Sequence, residues 1–327
     1  MKKTLIIGGS GFIGSFLIKE LDLKKSINFD KKQSPFFPEI TILGNILDEE
    51  KLDKSFKDVD SVILLAAEHK DDVSPINLYY DVNVNGTKNV LKAMDKHKVK
   101  KLIFTSSVAV YGLNKDNPDE NFEVDPFNHY GKSKWQAENE IKLWYKNNND
   151  KSITIIRPTV VFGERNRGNV YNLLKQIVLK RFVMIGDGKN KKSMAYVRNL
   201  VSFLKICNKK NKKGLNIFNY VDKPDLTMIK LVNLIRENMG YKKNNFKIPF
   251  LIGFFIGYVF DFISIITNSK LPISSVRIKK FCSRTEFSSS KLDLIFKPPY
   301  TIYEGLKKTI KYEFIDKNEI DITFESE

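Results

Sequence analysis

Residues 4–14, Thr4-Leu5-Ile6-Ile7-Gly8-Gly9-Ser10-Gly11-Phe12-Ile13-Gly14, decide how this chain folds. A short apolar run stops at a glycine pair and an apolar-periodic segment follows at once, which reads as strand, tight turn and helix start. Glycines 8, 11 and 14 fall where backbone must come close to a diphosphate. The unpaired amides and dipole of the helix N-terminus supply the anion site. Glycine-rich turns are common, so the strand before and the helix after carry the argument. Phe12 and Ile13, at the helix start, count with the glycines as contacts to the bound group.

Working outward, short β-branched or apolar runs recur at residues 26–29, 41–43, 61–66, 102–106 and 153–157, separated by helical patterns. That alternation predicts an α/β fold, a Rossmann-type doubly wound parallel sheet. The runs around 62–67 and 102–107 are apolar on both alternations, as central strands covered on both faces must be. Asp30 ends the second run, 22 residues after Gly8, where a carboxylate accepts hydrogen bonds from a ribose diol and repels a 2′-phosphate. NAD is therefore favoured over NADP, with Lys31 and Lys32 pulling the other way. Asn45 and Ile46 are expected at the adenine edge, and Leu65, Ala66 and Ala67 along the cofactor.

From about residue 164 the alternation weakens. Helices are expected at 170–178, 226–239 and 248–266, with one more strand near 215–221. The expected organisation is an NAD-binding domain over 1–165, to which strands near 193–222 return. A smaller, mainly helical substrate lobe takes 166–192 and 223–327.

The 327 residues, 42% apolar and 28% charged, make an ordinary globular mixture that excludes a disordered or collagen-like chain. Two cysteines, Cys207 and Cys282, exclude a disulfide scaffold and a Cys-rich metal centre and point to a reducing compartment. His69, His97 and His129 are scattered without carboxylate–His spacing, so no metal site is expected. The net charge of +17 comes from 47 lysines and only eight arginines. It suits an anionic partner, but no basic–aromatic nucleic-acid module accompanies it, so nucleic acid is not expected. The basic, briefly apolar N-terminus is broken by glycines too early for a secretory segment, which implies a cytoplasmic protein.

Tyr130 and Lys134 share one helix face at i, i+4. An ammonium beside a phenol favours phenolate and lowers its pKa, which makes Tyr130 a general base. Ser107, with Ser106 before it, closes the fifth strand at the carboxyl edge where ligands bind in such sheets, and its hydroxyl is placed to bond a reacting sugar oxygen.

GGSGFIG, Asp30, LLAA, Asn83 in YYDVNVNGT, SSVAVYG, YGKSK and RPTVVFG with Pro158 follow one another in an order and spacing that resemble the extended short-chain dehydrogenase/reductases, the sugar epimerase and dehydratase superfamily. The resemblance covers essentially the whole chain. It implies Ser107, Tyr130 and Lys134 as catalytic residues, a retained NAD, Asn83, Ser106 and Pro158 among the cofactor contacts, and a homodimer formed through the helices after Asn77 and Tyr130. The 4,6-dehydratases of the superfamily carry an acidic pair where this chain has Val108-Ala109, which argues for epimerisation.

Longer stretches resemble the bacterial 4-epimerases that turn N-acetylglucosamine on undecaprenyl diphosphate into N-acetylgalactosamine for surface polysaccharide (O-antigen). Val160 replaces the asparagine of nucleotide-sugar epimerases. A soluble UDP-sugar 4-epimerase and an NAD-binding sensor are the alternatives. His69, Val108, Asn169, Lys192 and Arg277 are the candidate substrate contacts, Lys192 and Arg277 as cations for a diphosphate. The very apolar stretch 248–267 reads either as a buried helix of the small lobe or as a helix at the membrane interface, with peripheral contact near a lipid substrate.

Overall fold

The computed structural model describes residues 2–70, 73–147, 149–210, 213–242, 246–267, 275–316 and 322–325. Seven strands form one wholly parallel sheet: β1 (Lys3–Ile7), β2 (Ser26–Asp30), β3 (Thr41–Leu43), β4 (Val59–Leu64), β5 (Lys101–Thr105), β6 (Ser152–Pro158) and the late-arriving β10 (Gly214–Tyr220). Their order is β10-β6-β5-β4-β1-β2-β3. The direction of winding reverses between β1 and β4, which opens a crevice at the carboxyl ends of those strands.

Alternate residues of each strand go to opposite cores. Leu5, Ile7, Val62, Leu64, Leu102, Phe104, Ile153 and Ile155 pack on one side against α2 (Glu49–Lys54), α4 (Gly86–Lys96, preceded by α3, Asn77–Tyr80) and α5 (His129–Asn147). Ile6, Ile63, Ile103 and Ile156 pack on the other against α1 (Phe12–Glu20) and α7 (Val197–Lys209). This second core runs on without a break into α6 (Asn169–Val178) and α8 (Met228–Asn238).

Beyond the main sheet, β7 (Val160–Phe162), β9 (Lys191–Tyr196) and β11 (Asp222–Thr227) make a three-stranded sheet, and β8 (Met184–Ile185) pairs with β12 (Lys247–Ile248). Two expectations need correction. Of residues 193–222, only Gly214–Tyr220 joins the main sheet, because β9 instead finds parallel β7 and antiparallel β11 as partners. The helix expected from 226 begins at Met228, since Leu226 and Thr227 still pair with Lys192 and Lys191. The stretch after 248 forms α9 (Phe250–Thr267), packed on α10 (Ser275–Cys282). It is no buried helix: Leu251, Phe255 and Phe262 are 78%, 69% and 65% exposed.

One ion pair ties the sheet to α5. Arg157 of β6, 1% exposed, reaches Glu138 of α5, 0% exposed, with Nε to Oε1 at 2.8 Å and Nη2 to Oε2 at 2.6 Å. Its Nη1 donates to the Tyr111 hydroxyl at 2.6 Å, and Tyr111 donates to Asn219 Oδ1 of β10 at 2.8 Å. Removing one member strands the other in a dry site, so Arg157→Met should lower stability by about 3–5 kcal/mol. Replacing both, as in Arg157→Met with Glu138→Leu, should recover much of that loss. Urea denaturation midpoints of the three proteins check the order.

Candidate active site

A cleft of about 1060 Å³ lies over the carboxyl ends of the central strands. Its floor is the glycine turn. Gly8 has φ +88°, and a Cβ there would sit 2.5 Å from the Ala66 backbone nitrogen, so both conformation and contact demand glycine. Helix α1 then starts with no side-chain cap at Gly11 and no acidic residue in its first turn. Gly11, Phe12, Ile13 and Gly14 line the cleft, which leaves the helix's first amides facing it. An anionic diphosphate supplies the missing cap, and the donor set fits a dinucleotide on that ground.

Asp30, at the end of β2, accepts from Ser10 N at 2.9 Å and Lys32 N at 3.0 Å, and it lines the same cleft. Lys31 is turned to Glu68, 2.5 Å away, which competes with a 2′-phosphate for it. Asn45, Ile46, Leu65, Ala66, Ala67 and Pro158 are all in the lining.

At the other end of the cleft, Ser107 follows β5 and caps a 3₁₀ turn, Val108–Tyr111, its Oγ accepting from Ala109 N at 3.1 Å. Tyr130 is the second residue of α5. The next residue, Gly131, allows that helix to lie directly on the Ser107 turn, because any Cβ would stand 2.5 Å from the Ala109 carbonyl oxygen. Ser106, Ser107, Val108, Tyr130 and Lys134 therefore share one wall.

Burial governs the acid–base properties of this wall. It pushes the Tyr130 phenol up to about 12, with a hydrogen bond to Ser107 pulling back down. The Lys134 amine is pushed down to about 7, opposed by the carboxylate of Glu138 one turn on. Lys134 also lies 4.6 Å from the centre of the Phe104 ring. Burial thus outweighs the other influences at both groups and favours the phenol and the amine in their neutral forms.

His69 and Asn169 line the cleft, but two other expected residues, Asn83 and Lys192, are not among its lining. Asn83 is 2% exposed and lies outside the lining; its amide binds Glu68 N, Glu68 O and Ser133 Oγ, each at 2.9 Å. It sits in the π-helical turn Asp81–Asn85, whose wider coil aims it at the loop after β4, so it positions the cleft wall without touching the cleft. Lys192 donates to the Ser283 carbonyl at 2.7 Å and is drawn into the lobe. The side chain of Arg277 lies outside the described residues.

Sequence reasoning missed three contributors. Glu138, four residues beyond Lys134, was legible as a further i+4 step along one helix face. Thr285 and Phe287 reach the cleft from the chain after α10. Residues 322–325 cross it: Phe324 pairs with Arg165 O and Arg167 N, both at 2.8 Å, and its ring lies 6.1 Å from Phe12 and 6.3 Å from Phe36. No local pattern announces a lone bridge of this kind.

Such a site places the chain in the class of short-chain dehydrogenase/reductase enzymes. Within it, the chain belongs to the NAD dependent epimerase/dehydratase family, which matches residues 4–219. A similar relative is the N-acetyl-alpha-D-glucosaminyl-diphospho-ditrans,octacis-undecaprenol 4-epimerase of Escherichia coli O157:H7, 55% identical over 99% of each chain. Two solved structures share the fold. The UDP-N-acetylglucosamine 4-epimerase of Methanobrevibacter ruminantium M1, in complex with UDP-N-acetylmuramic acid, is 22% identical with a TM-score of 0.73, covering 95% of this chain and 98% of that one. The Thermus thermophilus UDP-glucose 4-epimerase in complex with NAD is 19% identical with a TM-score of 0.73 and the same coverage. NAD is the cofactor.

Asp30→Ala removes a charged acceptor, an interaction of about 1.5–3 kcal/mol. NAD affinity should fall roughly 10- to 100-fold, and discrimination against NADP should shrink with it. Titration calorimetry with each dinucleotide reads both effects, and unchanged NAD binding would remove Asp30 from the site.

Proposed function

We propose that the protein is an NAD-dependent 4-epimerase that converts N-acetylglucosamine to N-acetylgalactosamine on undecaprenyl diphosphate, a step in the synthesis of bacterial surface polysaccharide such as O-antigen. The full-length kinship with the lipid-linked sugar 4-epimerase is the observation that carries this substrate. Val160 supports it: an apolar side chain on the cleft wall, where nucleotide-sugar epimerases resemble one another in having asparagine, offers a nucleotide no hydrogen bond. A sugar on such a lipid lies at a bilayer surface, so in this reading the enzyme works on the cytoplasmic side as a peripheral protein. The same reading pairs two copies through the helices after Asn77 and Tyr130, where Leu143 is exposed.

NAD, when bound, supplies the acceptor and donor of hydride. The residues of the chain supply the proton transfers. Tyr130 takes the proton of the C4 hydroxyl, Ser107 holds the same oxygen, and Tyr130 returns the proton after the 4-keto sugar has turned its other face. The acidic pair of a dehydratase is replaced by Val108 and Ala109, so nothing on that turn protonates a leaving group at C6.

Tyr130 and Lys134 titrate as one unit. The unit that has lost one proton, as phenol with amine or as phenolate with ammonium, contains the competent base. With the lysine poised at about 7, this form grows as pH rises through that value. Turnover should accordingly rise from pH 6 to 8. Lys134→Met removes the group poised at about 7 and leaves only a phenol that burial already pushes up, so the rising limb should move up by several pH units. Tyr130→Phe should bind NAD as the parent does and lose about 10²-fold or more in turnover. Purified protein given undecaprenyl-diphosphate-N-acetylglucosamine and, separately, UDP-N-acetylglucosamine should epimerise the first. Turnover of UDP-N-acetylglucosamine alone would overturn the lipid-linked assignment.

A further inference from the structure

Helix α9 has two unlike sides. Gly253 and Gly257 mark the inner one: a Cβ on the first would stand 2.5 Å from Ile185 Cγ2, and on the second 2.8 Å from Ser275 Cα. The helix's one charged residue, Asp261, also turns inward, accepting from Ser275 N at 3.1 Å. The other side carries Leu251, Ile252, Phe255, Tyr258, Val259, Phe262, Ile263 and Ile266, all exposed. At 100° per residue these positions fall within an arc of about 140°, along about 22 Å of helix. Val183 and Phe246, next to the paired strands β8 and β12, are exposed as well. A patch of this size exceeds what a monomer leaves bare without a partner.

Charge selects the partner. Between Tyr241 and Cys282 the chain has seven basic residues and a single acid, the inward Asp261. Among the described ones, Lys242, Lys247 and Lys279 are exposed. Two copies meeting through this face would bring like charges together, whereas an anionic bilayer offers opposite charge and apolar depth at once. Among the described residues no helix is long and apolar enough to cross a membrane. The same lobe leads to the chemistry, since Thr285 and Phe287, three and five residues beyond the end of α10, line the sugar cleft.

We infer that α9 lies in the plane of an anionic membrane, its apolar stripe sunk into the headgroup boundary and its flanking lysines on lipid phosphates, so that the cleft receives a sugar still attached to its embedded lipid. This deepens the lipid-linked reading and rests on it for the substrate alone. The test uses the full chain and sedimented vesicles of phosphatidylglycerol and phosphatidylethanolamine, with pure phosphatidylcholine as control. The protein should bind the anionic vesicles at least tenfold better, and less well in high salt. Phe255→Glu with Phe262→Glu, both outward on the helix, should abolish binding. The variant should keep its circular dichroism and its turnover of a short-chain, water-soluble diphosphate sugar, and lose turnover of the vesicle-embedded one.

Failure of the parent to bind, equal binding by the variant, or a parent dimer that the variant dissolves would overturn the inference, the last in favour of a second copy. The two readings separate cleanly. Binding to vesicles with turnover of UDP-sugar alone sinks the substrate and leaves the anchor. Turnover of the lipid-linked sugar in detergent without vesicle binding sinks the anchor and leaves the substrate.

Discussion

The guanidinium of Arg157 is the point on which the rest depends. It grips Glu138 with two hydrogen bonds and Tyr111 with a third, so one buried cation fixes the helix that carries Tyr130 and Lys134 and the turn that carries Ser107. These segments are far apart in the chain and reach the site from different elements. Catalytic groups must be held to within fractions of an ångström, and long apolar contacts between sheet and helix do not set such a register by themselves. A bidentate ion pair in a dry interior does, because any slip leaves charge unpaired.

That clamp also shapes the electrostatics of the cleft. Glu138 is held below the usual carboxylate range chiefly by its bond to Arg157, working against burial. It therefore stays charged beneath Lys134 and keeps the amine from being driven still lower. Tyr130, Lys134 and Glu138 form a column up one face of α5, grading from a neutral phenol at the cleft to a fixed anion at the base. The lysine between them is poised to hold or release a proton at small cost, which suits a residue whose task is to let its neighbour change charge.

The central strands were legible in the sequence because they are apolar on both faces, a pattern that solvent-facing elements do not produce. The glycine turn, Asp30 and the Ser107, Tyr130 and Lys134 set were legible because each belongs to a local geometry: a strand end, a turn, one helix face. Asn83 was read as a cofactor contact and is a brace, since its direction depends on a π-helical turn that composition does not encode. Lys192 was read as a ligand for phosphate and is engaged with a backbone carbonyl some 90 residues away, a pairing only the tertiary fold creates. The outward face of α9 was the hardest to read. Its sequence is apolar almost throughout, and only two glycines and Asp261 mark the inner side.

The segment 322–325 has a kinetic meaning. It hydrogen-bonds to Arg165 and Arg167 and lays Phe324 between Phe12 and Phe36 above the glycine turn. A dinucleotide entering or leaving on that side would have to displace this segment in both directions. A barrier common to both directions lengthens residence without deepening affinity. An oxidoreductase that consumes its coenzyme would be throttled by such a clasp. A catalyst that hands the same hydride back each cycle would lose nothing by it, since its dinucleotide need not leave between turnovers.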